Sequence, residues 1–231
     1  RSLMLEEPSK DEPKYQRQYA TFTTERGDEL QYYLILPENF DPAKKYPVLL
    51  TQYSGPGSQE IANRWTADWE ETLAHNGYIV ASCDARGTGF RGEEFKKVTY
   101  ANLGHCEVED QISFAHHLAK QSFIDSERIG IYGWSYGGFM TISLMTNYPD
   151  LFKVGVAGGP VIDWKWYEVM YGERYMETPE SNPEGFASTS LIPMAEKLEG
   201  KLLICQGAID PVVVWQQSLS FVKACIDAGV Q

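Results

Sequence analysis

The chain has 231 residues, 43% apolar and 13% aromatic, which is enough side-chain area to bury one sizeable core and excludes a disordered segment. Its 20 Lys and Arg against 32 Asp and Glu give a formal net charge of −12, which repels phosphate backbones and argues against nucleic acid as a partner. No apolar run is long enough to span a membrane, and the polar amino end, residues 1–14, lacks the apolar stretch of a signal peptide.

Residues 1–18 read as a linker, because Pro8 and Pro13 sit among charged neighbours with no apolar period. Tyr19–Thr24 and Leu30–Leu36 are β-branched or aromatic runs around Arg26-Gly27-Asp28, which predicts a hairpin. The pattern then alternates. Pro47–Tyr53 reads as a buried strand, Trp65–His75 as a helix, Tyr78–Asp84 as a strand, and Val108–Lys120 as a helix with Val108, Ile112, Ala115 and Ala119 on one face. Next come a strand at Arg128–Gly133, a helix at Tyr136–Tyr148 stopped by Pro149, strands at Val154–Gly158 and Leu202–Gln206, and a helix at Trp215–Ala228. Such alternation predicts an α/β fold, a mostly parallel sheet with helices on both faces and chemistry at the carboxyl ends of its strands. The aromatic-rich stretch 163–193 breaks the rhythm and reads as an insertion over the sheet within a domain at 19–231.

Gly133-Trp134-Ser135-Tyr136-Gly137 is a GxSxG motif between a predicted strand and a predicted helix. The sharp turn needs small flanking residues so that Ser135 can take a strained backbone position, its hydroxyl exposed and the Tyr136 N–H aimed at a developing oxyanion. In the α/β-hydrolase fold that this context implies, the acid follows the serine at the end of a later strand. Asp210 fits, in the turn after Leu202–Gln206, although an aspartate there also serves as a helix or turn cap; Asp163 is the weaker rival. The histidine should come third, yet His75, His105, His116 and His117 all precede Ser135. Their ordinary readings are helix-face and helix-end residues. The expectation is therefore that the sequence is carboxyl-terminally incomplete, with the last strand, the last helix and the histidine lying beyond Gln231.

Gly87-Thr88-Gly89-Phe90-Arg91-Gly92 matches a dinucleotide-binding GxGxxG, but Glu93–Lys97 shows no clean helix opening and this is not the first βα unit. A glycine-rich loop with Arg86 held by nearby acids is the expected form. Cys83, Cys106, Cys205 and Cys225 are widely spaced and read as buried free thiols. No metal-ligand spacing occurs, and no cofactor is implied.

Taken together, Lys44-Lys45-Tyr46-Pro47, Tyr53-Ser54-Gly55-Pro56-Gly57-Ser58-Gln59, Asp84-Ala85-Arg86-Gly87-Thr88-Gly89, Glu107-Val108-Glu109-Asp110-Gln111, Gly133–Gly138 and Glu173-Arg174-Tyr175-Met176 resemble the prolyl oligopeptidase family of serine peptidases, in its dipeptidyl peptidase IV and prolyl tripeptidyl peptidase branch. The resemblance implies Ser135 as nucleophile, Asp210 as acid, and Tyr53 beside the Tyr136 N–H in the oxyanion hole. It also implies a proline pocket from Tyr136, Val161, Trp164, Tyr167 and Tyr171, with Trp134 and Glu168 as further substrate-binding residues. Beyond this chain it implies an N-terminal β-propeller, a homodimer, a peptide substrate with proline before the scissile bond, and a periplasmic, cell-surface or secreted location. Two departures stand out: Val212 replaces an asparagine of the dipeptidyl enzymes, and Glu168 replaces an aspartate, which leaves dipeptide against tripeptide release open. Two rival readings are a non-catalytic binding or dimerisation module on this fold and an acyl ester hydrolase.

Overall fold

The computed structural model describes Tyr15 and residues 17–64 and 68–230. The expected hairpin forms as β1 (Arg17–Thr23) and β2 (Glu29–Ile35), paired antiparallel from Thr23 opposite Glu29, with Gly27 at φ 95° in the turn. Then follow β3 (Tyr46–Thr51), α1 (Trp69–His75), β4 (Ile79–Asp84), α2 (Glu93–Lys97), α3 (His105–Ala119), β5 (Ile124–Trp134), α4 (Tyr136–Asn147) and β6 (Val154–Gly158). Short helices α5 (Val169–Met176) and α6 (Pro183–Thr189) precede β7 (Lys201–Cys205) and α7 (Trp215–Asp227).

The strand order is β1-β2-β4-β3-β5-β6-β7, antiparallel across β1, β2 and β4 and parallel from β4 through β7. Successive strand residues serve opposite faces. Tyr33, Ile35 and Val80 pack with Ala74 of α1 on one face, while Leu34, Ala81, Leu50 and Ile131 pack with α3 and α4 on the other. Helix α4 is buried along nearly its whole length against β5 and β6, which is why its sequence is apolar on every side. Because β4 and β5 flank β3 on opposite sides, the chain reverses its direction of travel across the sheet at β3. The carboxyl ends of β3 and β5 therefore border the crevice where this architecture binds ligands.

Several expectations need correcting. Most of the expected linker lies outside the described residues, but β1 already begins at Arg17, whose guanidinium bonds the buried Glu70 at 2.7 Å and lies 4.4 Å from the Tyr33 ring centre. Of the expected helix Trp65–His75, residues 65–67 are outside the described set; α1 starts after Asp68, which caps the Trp69 N–H at 2.6 Å. Glu93–Lys97 is helical, a single exposed turn with acids first and lysines last that complements its own dipole. The stretch 163–193, expected as an insertion, has secondary structure that its sequence did not reveal. It folds into a 3₁₀ turn at Trp164–Trp166 followed by α5 and α6, and Trp164 packs against Tyr136 and Phe139 of α4. Finally, all four cysteines are free, but only Cys83 and Cys106 are buried; Cys205 and Cys225 are half-buried.

Candidate active site

Ser135 sits between β5 and α4 at φ 58° and ψ −113°, a conformation that costs a non-glycine residue backbone energy. Its N–H is tied to the Gly158 carbonyl at 2.7 Å, and its own carbonyl takes the Phe139 N–H at 3.0 Å. The surrounding backbone is too crowded for side chains. A Cβ on Gly133 would lie 2.2 Å from the Gly137 oxygen, and one on Gly137 would lie 2.5 Å from the Gln52 oxygen. Both obstacles are backbone, so neither can swing aside. Gly137→Ala is expected to destabilise the protein by about 1–3 kcal/mol, read as a lower midpoint in urea denaturation; an unchanged midpoint would show that the elbow tolerates a methyl there.

The loop after β3 brings Tyr53 to the same edge. Its half-buried ring lies 6.1 Å from the Tyr136 ring, and burial pushes its phenol above the usual tyrosine range, so it stays protonated and able to donate. A polar chain locks this loop to the elbow. Gln111 Nε2 of α3 donates to Ser54 Oγ at 3.0 Å and to the Cys83 carbonyl at 2.9 Å, Ser54 Oγ donates to Gln52 Oε1 at 3.1 Å, and Gln52 Nε2 donates to the Gly137 carbonyl at 2.9 Å. Sequence reading missed all three residues as site components. Ser54 and Gln111 fell within stretches matched by resemblance, but neither periodicity nor spacing points from one to the other.

Asp210 lies in the turn after β7. The N–H groups of Val212 and Val213 hold its Oδ1 at 2.9 and 3.0 Å, leaving Oδ2 outside these two bonds and on the side of Gly159, next to the β6 terminus. The Tyr167 phenol lies beside Ser135 and is raised above the ordinary tyrosine range first by burial, with Tyr53, Glu168 and Asp210 adding repulsion. Serine, acid and both tyrosines thus converge. The rival Asp163 is occupied elsewhere: buried, it takes the Lys165 N–H at 3.1 Å and Ser190 Oγ at 2.8 Å. The histidines are also placed elsewhere. His75 bonds Tyr15, His105 bonds Ser188, His117 stacks on Phe22, and His116 is exposed on α3.

The aromatic group forms one wall with two depths. Val161, Trp164 and Tyr136 are buried at its base, while Tyr167 and Tyr171 are half-buried at its rim. Trp164 stacks on Tyr171 at 5.7 Å and meets Tyr167 edge-on at 5.3 Å. The Tyr136 phenol does not face the cleft; it donates to Glu107 Oε1 at 2.6 Å inside the core, a partner the sequence did not reveal. Trp134 is 52% exposed and lies flat over Gly158, where a Cβ would meet its ring. Glu168 stands apart from that wall. It is exposed rather than buried among the aromatics, because its carboxylate caps α5 by accepting the Met170 N–H at 3.1 Å. Among the described residues, no group of three or more His, Cys, Asp or Glu is placed to hold a metal.

A family model described as the prolyl oligopeptidase family matches residues 65–231. An Aspergillus terreus protein named "Probable dipeptidyl-aminopeptidase B" is 40% identical over 241 residues, covering 99% of this chain and 26% of that protein. A Bacteroides ovatus crystal structure, provisionally named a dipeptidyl aminopeptidase IV, superposes with a TM-score of 0.91 at 47% identity, over 94% of this chain and 31% of that one. The Porphyromonas gingivalis dipeptidyl peptidase 4 structure also gives 0.91, at 41% identity and the same coverage. The chain thus spans about a quarter of the curated relative's length, 26%.

Proposed function

This chain belongs to the prolyl oligopeptidase family, and from that premise we propose that it is the catalytic unit of a serine exopeptidase releasing short N-terminal peptides after proline. The observation that carries the reading is the convergence of Ser135, strained and half-exposed, with Tyr53, the Tyr136 N–H and Asp210 at the ends of four different elements.

In this reading Ser135 Oγ attacks the carbonyl carbon of the residue before the scissile bond. Its proton passes to a base seated between Ser135 and Asp210, a position none of the four histidines of this sequence occupies; in the chain order of this fold the histidine follows the acid. The oxyanion is taken by the Tyr136 N–H, free of an intrahelical acceptor at the first position of α4, and by the Tyr53 phenol. Collapse expels the amine, leaves the acyl-enzyme, and water then releases the short peptide.

Selectivity for proline is supported by the aromatic group in which Trp164 stacks on Tyr171 and Tyr167 stands edge-on to both, with Val161 buried nearby in the same core. A five-membered ring fits such a slot, and a longer branched chain overfills it. Substrates with Pro at the cleaved residue are expected to exceed their Leu counterparts in kcat/KM by about 10- to 200-fold. Equal rates would show that the slot does not read ring size. Glu168, on the same rim, is proposed to pair with the substrate amine. Because it is solvent-exposed, Glu168→Gln should raise KM for free-amine peptides only about two- to five-fold, and should leave acetylated ones unchanged. Equal changes for both would remove the amine role.

Release of dipeptides or tripeptides remains the finer part of the proposal, as do an N-terminal β-propeller, a homodimer and a location outside the cytoplasm. The greater length of the relatives supports a further domain. No helix among the described residues is long and apolar enough to cross a membrane. The test is to incubate the full-length protein with peptides carrying proline at the second or third position and identify the products by mass spectrometry. Fragments ending in proline are expected. Ester hydrolysis without any peptide cleavage would favour the acyl ester hydrolase reading, and neither activity would leave a binding module.

A further inference from the structure

Glu107 is fully buried at the third residue of α3, behind the elbow rather than in it. Its Oε1 accepts the Tyr136 phenol at 2.6 Å and its Oε2 accepts the Cys106 thiol at 3.3 Å, while the backbone amides of Gly104 and Glu107 at the start of α3 favour its charged form. No cation pairs with it among the described residues. The Arg86 guanidinium, which interacts with the neighbouring Cys106, is held by Asp110 at 2.8 Å and Glu109 at 3.0 Å. A buried carboxylate without a cation is costly, so what it holds matters. It holds Tyr136, whose ring is wedged between Phe139 and Trp164 and faces Tyr53, and whose backbone N–H is one of the two proposed oxyanion donors.

We propose that Glu107 is a positioning residue of the oxyanion hole: its carboxylate pins the Tyr136 phenol, the pinned ring fixes the first turn of α4, and that turn aims the Tyr136 N–H. The inference rests on the reading of Ser135 as nucleophile. Glu107 never touches substrate. It acts where small displacements are expensive, since an oxyanion donor must meet the charge at hydrogen-bonding distance and the backbone around Ser135 is already strained.

The carboxylate form does the holding, and this makes the hole sensitive to pH. Burial pushes the Glu107 carboxyl up to about 7, against the lowering pull of the Tyr136 phenol, the two α3 amides and the Cys106 thiol. The other groups turned toward this cluster are Tyr171 of α5 and, through Cys106, Arg86 with Asp110; His105 next door bonds Ser188 instead. As pH falls through this range the carboxyl gains a proton and ceases to be a charged acceptor for the phenol.

The test measures the rate at which a fluorophosphonate probe labels Ser135 across pH in the full-length protein, which does not depend on any preference for proline. Wild type should lose labelling with falling pH along a curve steeper than a single ionisation. Glu107→Gln should lower the alkaline plateau about ten-fold and leave one ionisation, that of the base. Tyr136→Phe, which removes the phenol that Glu107 pins, should likewise lower the plateau and leave one ionisation. Stability should run the other way. Between the usual carboxylate range and about 7 the folded wild type holds a proton that the unfolded chain releases, so wild type loses stability as pH rises through that window and Glu107→Gln does not. The Tm difference should therefore move in favour of the variant from about pH 5 to about pH 8, a trend a purely structural role does not pair with slower labelling. A Glu107→Gln profile with wild-type height and shape would overturn the proposal; should that variant not fold, a Tyr136→Phe profile of wild-type height and shape does the same. Absence of any labelling overturns both the nucleophile and Glu107. Normal labelling without post-proline cleavage sinks the substrate reading alone.

Discussion

Ser135→Ala in the full-length protein is expected to lower kcat by about 10⁶-fold, to the level set by binding and the oxyanion donors alone. The alanine removes only the hydroxyl. The Gly158 carbonyl still takes the backbone N–H of that position at 2.7 Å, and Gly133 and Gly137 still leave room for the turn, so fold and Tm should hold. Removing the oxygen at φ 58° does not relieve the backbone, because alanine has the same Cβ as serine. The check is turnover of a prolyl chromogenic substrate together with fluorophosphonate labelling. A variant that keeps even a hundredth of the activity, or labelling that persists elsewhere in the chain, would place the nucleophile on another residue.

Asp210→Asn should cost about 10⁴-fold in kcat with little change in stability. An asparagine can still present one oxygen to the N–H groups of Val212 and Val213, so the turn keeps its shape. What changes is the second position, where an amide NH₂ replaces Oδ2. A donor there meets the donor face of an imidazole, turns the ring to the wrong tautomer, and withdraws the negative charge that steadies the imidazolium. The loss should shrink at alkaline pH, where hydroxide substitutes for the misplaced base. Loss of less than ten-fold would return Asp210 to the role of a turn cap.

The parts of this molecule that were legible in its sequence are those governed by neighbours along the chain. The elbow was readable because a β-rich run, two glycines and an apolar helix meet within ten residues, and each piece constrains the next. Asp210 was readable because it follows a strand directly. Helices α5 and α6 were not, although Glu168 and Asn182 are serviceable caps, because the apolar residues of 163–193 are arranged to meet α4 and one another rather than to repeat along one helix. The four residues Ile124–Glu127 fall outside the strand expected at Arg128–Gly133, because β5 opens with a polar, partly exposed stretch beside Tyr46. Glu168 is exposed although Tyr167 precedes it, because adjacency to aromatic residues in sequence says nothing about which side of a helix start faces water. The bonds of Gln111 to Ser54 and of Glu107 to Tyr136 join residues 57 and 29 positions apart, and no local rule predicts a single partner at such range.

The chain of contacts from Gln111 through Ser54 and Gln52 to Gly137 ties α3, the loop after β3 and the start of α4 together, spanning 85 positions in its last link. The two proposed oxyanion donors, Tyr53 and the Tyr136 N–H, therefore do not take their places independently of one another. A collapsed intermediate with every helix formed but Gln52 unsatisfied would have a serine and a tyrosine and no geometry between them. Such a species would be chemically mute, and whatever reactivity Ser135 has would emerge only when the assembly is finished.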